Sequence, residues 1–488
     1  MKKINLKIVI VLVIISGCFF ACEEKYDPDK EIVTKNKYHV KTAADGGSDS
    51  NNGRTWSTAF ASLSKAISVA NNGGGDTIFV AKGTYIQDAA YVPTVDMKIF
   101  GSFDGYEKFP EQRRQPYLRE DDITSILNGN NKGAVFEIRN LTDETIIDGF
   151  VITGGSSNDC GGIFISKSSP TLTNLIISGN TSTGYGGGIN TINSSPVLTN
   201  IIISGNTATT GGGMYSNDHS YPILTNVTIS ENTASFGGGM SINNVSSPML
   251  RNVTISGNTA NREGGGMLVS VSYPSLTNVI ISGNTAIKGG GVYCYNSAPL
   301  LTNVTISGNT AMAGGGMYNY HASTPILTNV TISGNTVTDE GGGIFNLESS
   351  PKIYNSIVLG NFANKSNGVI NYSSSPIYAY NLIEGEGTDF GYHNGTNWDN
   401  KIYSAIDVFV NPSSAGLNTG GNYSLKTGSV AIDKGSLSYW ETQDYVHLNG
   451  KSLLMYFGGN WEMIKDLSGN PRIVGVIDLG AYEYPSVQ

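Results

Sequence analysis

Six aromatic residues, Tyr215, Tyr293, Tyr295, Tyr318, Tyr320 and Phe345, fall at the second or fourth place after a Gly-Gly-Gly triplet. The first place after the triplet is always apolar, as Ile189, Met214, Met240, Met267, Val292, Met317 and Ile344. Alternation along a strand therefore turns that place inward and the aromatics outward. Stacked in register, Tyr293, Tyr295, Tyr318, Tyr320 and Phe345 are expected to form an exposed patch on consecutive coils. Flat rings stack on the apolar face of a sugar, so the chemistry expected is noncovalent binding of an extracellular polysaccharide or a host or cell-surface glycan. The competing reading is that the rings stabilise neighbouring strands or are covered by the C-terminal part of the chain.

Reactive groups are sparse beside these rings. Between residues 171 and 361 the acidic residues are Asp218, Glu231, Glu263, Asp339, Glu340 and Glu348, scattered along the chain. Asp339 and Glu340 precede a glycine turn and read as a solvated corner; His219 and His321 occupy comparable corners and read as surface residues. Asp45, Asp49, Asn51 and Asn52 share a Gly-rich loop with oxygens suited to calcium, but their spacing fits no known calcium loop and a plain turn is the better reading. Glu384, Glu386 and Asp389 read as a loop leaving the last coil. Arg113, Arg114, Arg119, Glu120, Asp121 and Asp122 read as a solvated loop. No nucleophile, general base or metal site assembles from these residues, and no cofactor is expected.

The elements that must position the rings are legible as a repeat. Asn174, Asn200, Asn226, Asn252, Asn278, Asn303, Asn329, Asn355 and Asn381 recur at intervals of 26 residues, with one step of 25. Six residues after each of the first eight stands a second Asn: Asn180, Asn206, Asn232, Asn258, Asn284, Asn309, Asn335 and Asn361. That interval never changes, whereas the stretches on either side of the glycine triplet vary by one residue. In one repeat, residues 222–226 read as a short strand ending in a residue that tolerates the left-handed conformation, 227–230 as a second strand, and 240–243 as a third. Three strands and three corners describe one coil of a triangular prism. The first Asn series, from Asn200 to Asn355, is expected to stack as an internal ladder, with Asn252→Ala costing about 1–3 kcal/mol. Upstream, 76–80, 97–100 and 147–152 read as further strands, and 57–70 as an amphipathic cap helix burying Phe60, Leu63, Ala66, Ile67 and Ala70.

Composition agrees with a solenoid. Glycine, at 62 of 488 residues, far exceeds the usual ~7%, and charged residues are only 14%. A net charge of −9 and the lack of a basic cluster exclude nucleic acid as a partner. Lys2, Lys3 and Lys7 precede a short apolar run over 8–15, which reads as a processing signal. Cys160 and Cys294 sit five repeats apart, roughly 24 Å at ~4.8 Å per coil, and are expected to be free core thiols.

Several of these stretches resemble known families. Ile15-Ser16-Gly17-Cys18 resembles a bacterial lipoprotein lipobox, which implies acylation of Cys18, with Cys22 as the alternative, and a lipid anchor in the outer membrane at the cell surface. Ser-Gly-Asn-Thr-Ala followed by Gly-Gly-Gly-Met, as at 307–317, looks like the repeats of polymorphic outer-membrane proteins and of right-handed β-helix proteins with the pectin-lyase fold. Ile stands where the outer-membrane repeats usually carry Phe. Ala431-Ile432-Asp433-Lys434-Gly435, with 466–472 and 478–483, resembles the C-terminal module called choice-of-anchor Q. The expected fold is thus all-β, a right-handed parallel β-helix with an N-terminal helical cap. Its expected organisation is a signal peptide over 1–22, a linker over 23–37, the cap and irregular first coils over 38–145, regular repeats over 146–397 and the C-terminal module over 398–488.

The resemblance also admits catalysis, since lyases, hydrolases, adhesins and inert stalks share this fold. Polysaccharide lyases of the fold need a base beside acidic calcium ligands, and polygalacturonases carry Asn-Thr-Asp and Gly-His-Gly motifs that this sequence lacks. The expected function is noncatalytic glycan binding or adhesion at the cell surface. The alternatives are a polysaccharide lyase or glycoside hydrolase, and a structural stalk.

Overall fold

The computed structural model describes residues 36–107, 109–113, 124–384, 391–393, 405–412, 422–427, 429–432, 434, 468 and 479–481. Within them the chain winds as a right-handed parallel β-helix. The coil that begins with strand Ile223–Ser230 shows how the sequence builds it. This strand pairs in parallel with Val197–Ser204 below and Met249–Ser256 above, at Ile223↔Val197 and Ile223↔Met249. The short strand Thr233–Phe236 follows, then Met240–Asn243, which pairs with Met214–Asn217 and Met267–Ser270. Leu224, Val227, Ile229, Met240 and Ile242 all point into the core and are buried. The places of Leu224, Ile229 and Met240 are apolar in every regular coil, so the core is a continuous column along the solenoid, although the place of Ile242 is taken by buried Thr191, Ser216, Asn319 and Asn346 in other coils.

Two details differ from the expected prism. Residues 222–226 and 227–230 belong to one long strand, bent where Asn226 adopts φ 55°. Asparagine tolerates that left-handed geometry, so the chain turns a corner without losing its ladder. The strand Thr233–Phe236, before the glycine triplet, was not anticipated. It absorbs length variation: where Thr259–Glu263 carries one residue more, the register shifts between Ala234 and Phe236.

The internal ladder is the second Asn series, not the first. Asn206, Asn232, Asn258, Asn284, Asn309 and Asn335 are completely buried. In each, the backbone N–H and the side-chain amide both donate to the Oδ1 of the Asn one coil on, as Asn232 does to Asn258 at 3.0 Å. Asn226, Asn252 and Asn278 also stack, with Asn252 Nδ2 donating to Asn226 Oδ1 at 3.3 Å, but on the outside of the corner, where Asn226 and Asn252 are exposed; Asn303, Asn329 and Asn355 of the same series are buried. The cause is local. Gly257, at φ +64°, separates Ser256 from Asn258 and reverses the alternation, so the side chain after it points inward. A third ladder, of buried serines, lines the next corner, where Ser194 N donates to Ser220 Oγ at 3.2 Å and Ser220 N to Ser246 Oγ at 3.1 Å.

The glycine triplet is required by close approach of backbones. A Cβ on Gly239 would lie 2.6 Å from the Gly266 carbonyl oxygen and 2.9 Å from Asn258 Nδ2. No side chain fits where coils stack this tightly.

The N-terminal cap helix is shorter than expected. It spans Leu63–Ala70, with Ser62 as N-cap accepting from Lys65 N, and buries Leu63, Ala66, Ile67 and Ala70. Phe60 is buried too, but in a β-bridge with Val40, and Trp56–Thr58 is a 3-10 turn. The oxygens of the nearby polar loop are taken up locally: Asp49 accepts from Ala61 N, Ser62 N and Ser62 Oγ, and Asn52 Oδ1 accepts from Arg54 N and Thr58 Oγ1.

Arg113 is not part of a solvated loop. Its guanidinium is buried against Asp148 in a salt bridge, donates to Gly101 O at 3.1 Å and lies over the ring of Phe100 at 5.7 Å. Arg114, Arg119, Glu120, Asp121 and Asp122 lie outside the described residues. At the other end, Val408, Phe409, Tyr423, Leu425, Ala431 and Leu479 form a second small core with Ile357, Leu359 and Leu382 of the last coils. Ala481 N donates to Thr331 Oγ1 at 3.0 Å and Gly480 N to Asn355 O at 2.8 Å, so the described C-terminal residues cover the long-strand face. Cys160 and Cys294 are buried free thiols, and burial pushes both pKa values up.

Candidate functional site

The aromatic residues lie on a 10-stranded sheet that contains every strand following a glycine triplet of the regular repeats. Its register brings Tyr293, Tyr318 and Phe345 into one column, and Tyr295 and Tyr320 into another. Tyr215 stands apart, separated from Tyr293 by the equivalent places of Ser241 and Leu268.

The expectation of an exposed patch holds for only part of this set. Tyr293, Tyr318 and Phe345 are 6%, 5% and 8% exposed, and Tyr215 is also buried. Strands spaced at ~4.8 Å bring aromatic rings at equivalent places within stacking distance. Tyr293 and Tyr318 stack with centroids 5.4 Å apart at 15°, and Tyr318 and Phe345 at 4.6 Å and 10°. Their faces are therefore spent on one another, and together with Leu268 and Ile370 they form a cluster beneath the surface. Burial raises the phenol pKa of Tyr215, Tyr293 and Tyr318, with Glu263 adding to the effect at the last two. Both effects favour the neutral, hydrogen-bonding phenol.

Two other rings do face solvent. Tyr295 is 36% exposed, lying parallel to His321 at 5.4 Å and tilted against Tyr320 at 5.7 Å. Tyr185, 45% exposed, rests against Tyr215 at 4.7 Å. Between them runs a shallow groove of about 450 Å³, lined by Tyr185, Thr210, Tyr215, Phe236, Asn243, Glu263, Leu268, Ser270, Tyr293, Tyr295 and Tyr320. Its depth follows from sequence: small Ser241 interrupts the column of large residues between Tyr215 and Leu268. The far wall is a column that sequence reasoning missed, the residue just before each glycine triplet, which supplies Tyr185, Thr210, Phe236 and Glu263.

The carboxylates of that column differ in their surroundings. Glu340 pairs with Lys365 at 3.4 Å and accepts a hydrogen bond from the Tyr372 hydroxyl. The Glu263 carboxylate, which lines the groove, has no hydrogen-bond or ion-pair partner among the described residues. Lys288, the next residue of the column, lies over the Tyr318 ring at 5.4 Å, and Arg262 over Phe236 at 5.5 Å.

The remaining candidates are surface or structural groups. His219 is exposed and sits 3.2 Å from Asp218; His321 is likewise exposed, 3.5 Å from Glu348. Glu384 accepts from Gly360 N and Asn367 Nδ2 and closes the last coil. Among the described residues no group of three or more His, Cys, Asp or Glu could hold a metal ion. Glu386, Asp389, Cys18 and Cys22 lie outside the described residues.

Residues 161–329 match the family model described as a right handed beta helix region. The match begins one residue before Gly162 and ends at Asn329, so this β-helix stretch contains the whole groove. Residues 329–347 match the repeat of the Chlamydia polymorphic membrane protein. No curated protein matches the sequence. Among solved structures, the β-helix is similar to pectate lyase Pel9A, with 15% identity, 93% of this chain and 98% of that one covered, and a TM-score of 0.46. It is also similar to the alginate lyase AlyGC (12% identity, 71% and 51% covered, TM-score 0.40). A third is PfbA, a surface adhesin of Streptococcus pneumoniae (12% identity, 67% and 91% covered, TM-score 0.31). These likenesses concern coil architecture alone.

Proposed function

We propose that this protein is a noncatalytic, lipid-anchored β-helix of the outer membrane that binds an extracellular polysaccharide or a cell-surface glycan at the cell surface. The observation that carries the reading is the groove, where the exposed rings of Tyr185 and Tyr295 flank an unpartnered carboxylate, Glu263. Aromatic platforms beside a hydrogen-bonding acceptor suit a sugar's apolar face and hydroxyl rim. Binding without cleavage is supported by spacing. Glu263 and Glu340 stand three coils apart, about 14 Å at ~4.8 Å per coil, beyond the ~6.5–9.5 Å between paired glycosidase carboxylates. The match to a polymorphic membrane protein repeat supports a surface location.

Retention on polysaccharide gels tests this reading, with the recovered polymer assayed for new double bonds and reducing ends. The expected outcome is retardation with an unaltered polymer. Appearance of either product would make the protein a polysaccharide lyase or a hydrolase instead.

The anchor carries its own prediction. Mass spectrometry of the mature N-terminus is expected to find Cys18 diacylated or triacylated, with Cys22 the only other residue able to take that role in the segment. An unmodified terminus beyond Cys22 would remove the membrane as a partner.

A further inference from the structure

The groove's charge specifies what kind of glycan it takes. Glu263 is the one formally charged side chain among its lining residues, and the phenols of Tyr215 and Tyr293 are held neutral by burial. The nearest cations, Arg262 beside Glu263 in the chain and Lys288 on the adjacent coil, each lie over a ring and not against its carboxylate. The Lys288 ammonium sits over Tyr318, which is not in the groove wall, and the Arg262 guanidinium over Phe236. Neither forms a salt bridge with Glu263 among the described residues. A glycan lying between Tyr185 and Tyr295 therefore meets a carboxylate without a salt bridge, beside neutral donors and acceptors that include the Asn243 amide and the Ser270 hydroxyl.

We infer that the groove selects an uncharged polysaccharide and rejects polyuronates, with Glu263 as the specificity-determining residue. The inference rests on the glycan-binding reading above. A neutral sugar hydroxyl donates to the carboxylate in a charge-assisted hydrogen bond, stronger than one between neutral groups. A uronate would bring a second carboxylate into the same groove, where both are acceptors only and like charges repel across a partly desolvated gap. The protein's net charge of −9 also repels polyanions at long range, but physiological salt screens charges more than about 8 Å away. What survives screening is the local effect of Glu263.

The test uses the full-length protein at ~0.15 M salt. Titration calorimetry compares neutral xylan, neutral glucan and polygalacturonate on the parent, on Glu263→Gln and on Glu263→Arg, each variant first shown to unfold at the parent's temperature. At least one neutral polymer is expected to bind the parent tenfold or more tighter than polygalacturonate. Glu263→Gln should weaken that neutral polymer several-fold, and Glu263→Arg should shrink the preference or reverse it. Equal binding of neutral polymer and polygalacturonate by the parent would overturn the inference while leaving glycan binding intact, as would a preference unchanged in Glu263→Arg. Failure to bind any of the three polymers would overturn glycan binding in the groove and the inference with it.

Discussion

Asn258→Ala should destabilise the solenoid by about 3–6 kcal/mol, while Asn252→Ala, one corner away, should cost about 1–2 kcal/mol. The difference comes from what each side chain leaves behind. Asn258 Oδ1 accepts from both the backbone N–H and the side-chain amide of Asn232, and its own Nδ2 donates to Ile229 O at 2.9 Å. Truncation removes the partner of the buried Asn232 N–H, one of the two partners of the Asn232 amide, which keeps Ile203 O, and the amide donor to Ile229 O. Asn252 is exposed, and its neighbours can turn to water; its loss mainly puts alanine into a φ of 53°. Because each coil contacts only its neighbours, the internal defect should also divide the cooperative unit. Denaturant unfolding and amide exchange across residues 223–284 would show it, as early loss of protection on both sides of Asn258. Equal effects from the two variants would contradict the assignment of the second Asn series to the interior.

Arg113→Met is expected to cost about 3–5 kcal/mol near neutral pH, because it strands the Asp148 carboxylate in a site where both partners are 5% exposed. The remaining partner, Asn174 Nδ2 at 2.9 Å, supplies one hydrogen bond and no charge. Burial already outweighs Arg113 and holds the Asp148 pKa above its ordinary value. The folded state thus binds this proton more tightly than the unfolded chain, so the group's contribution is most favourable below the unfolded pKa and declines as pH rises through the folded one. Removing Arg113 raises the folded pKa further and extends that decline upward. The deficit of Arg113→Met should be small near about pH 4 and complete near about pH 8, as read by thermal unfolding. Pairing it with Asp148→Leu should restore most of the loss, since a buried ion pair can be replaced by apolar groups of similar volume at little cost. A deficit independent of pH, or no rescue, would mean that Asp148 is not charged and buried as described.

Much of this architecture is legible in the sequence because a solenoid repeats its constraints. Apolar residues at the first place after each glycine triplet, with polar or aromatic ones at the second in every repeat but that of Leu268, are enough to assign the inner and outer sides of that strand. The spacing of Asn226 and Asn232 is equally visible, but spacing alone does not say which of two invariant residues faces inward. That depends on the left-handed residue between them, Glu231 here and Gly257 in the next coil, and its effect on alternation appears only once backbone angles are known. Ring exposure was misread for a related reason. Alternation turns Tyr293 and Tyr318 away from the core, but parallel pairing in exact register then closes their faces on each other. Arg113 could not be assigned locally, since Asp148 is 35 residues away and the intervening charges read as solvated. The second wall of the groove was within reach. The residue before each triplet recurs as regularly as those after it, which places Tyr185, Phe236 and Glu263 in one column beside the aromatics.

The central claim is that a glycan lies in the groove between Tyr185 and Tyr295, and calorimetric titration of a neutral polysaccharide into the parent and into Tyr185→Ala combined with Tyr295→Ala tests it most directly. Both rings are partly exposed, so their removal leaves the buried stack of Tyr293, Tyr318 and Phe345 in place, which truncation at Tyr293 would not. Each ring contributes apolar contact of about 1 kcal/mol, so the account predicts affinity lower by about 10- to 30-fold with the unfolding temperature nearly unchanged. Equal affinities in parent and double variant would contradict it.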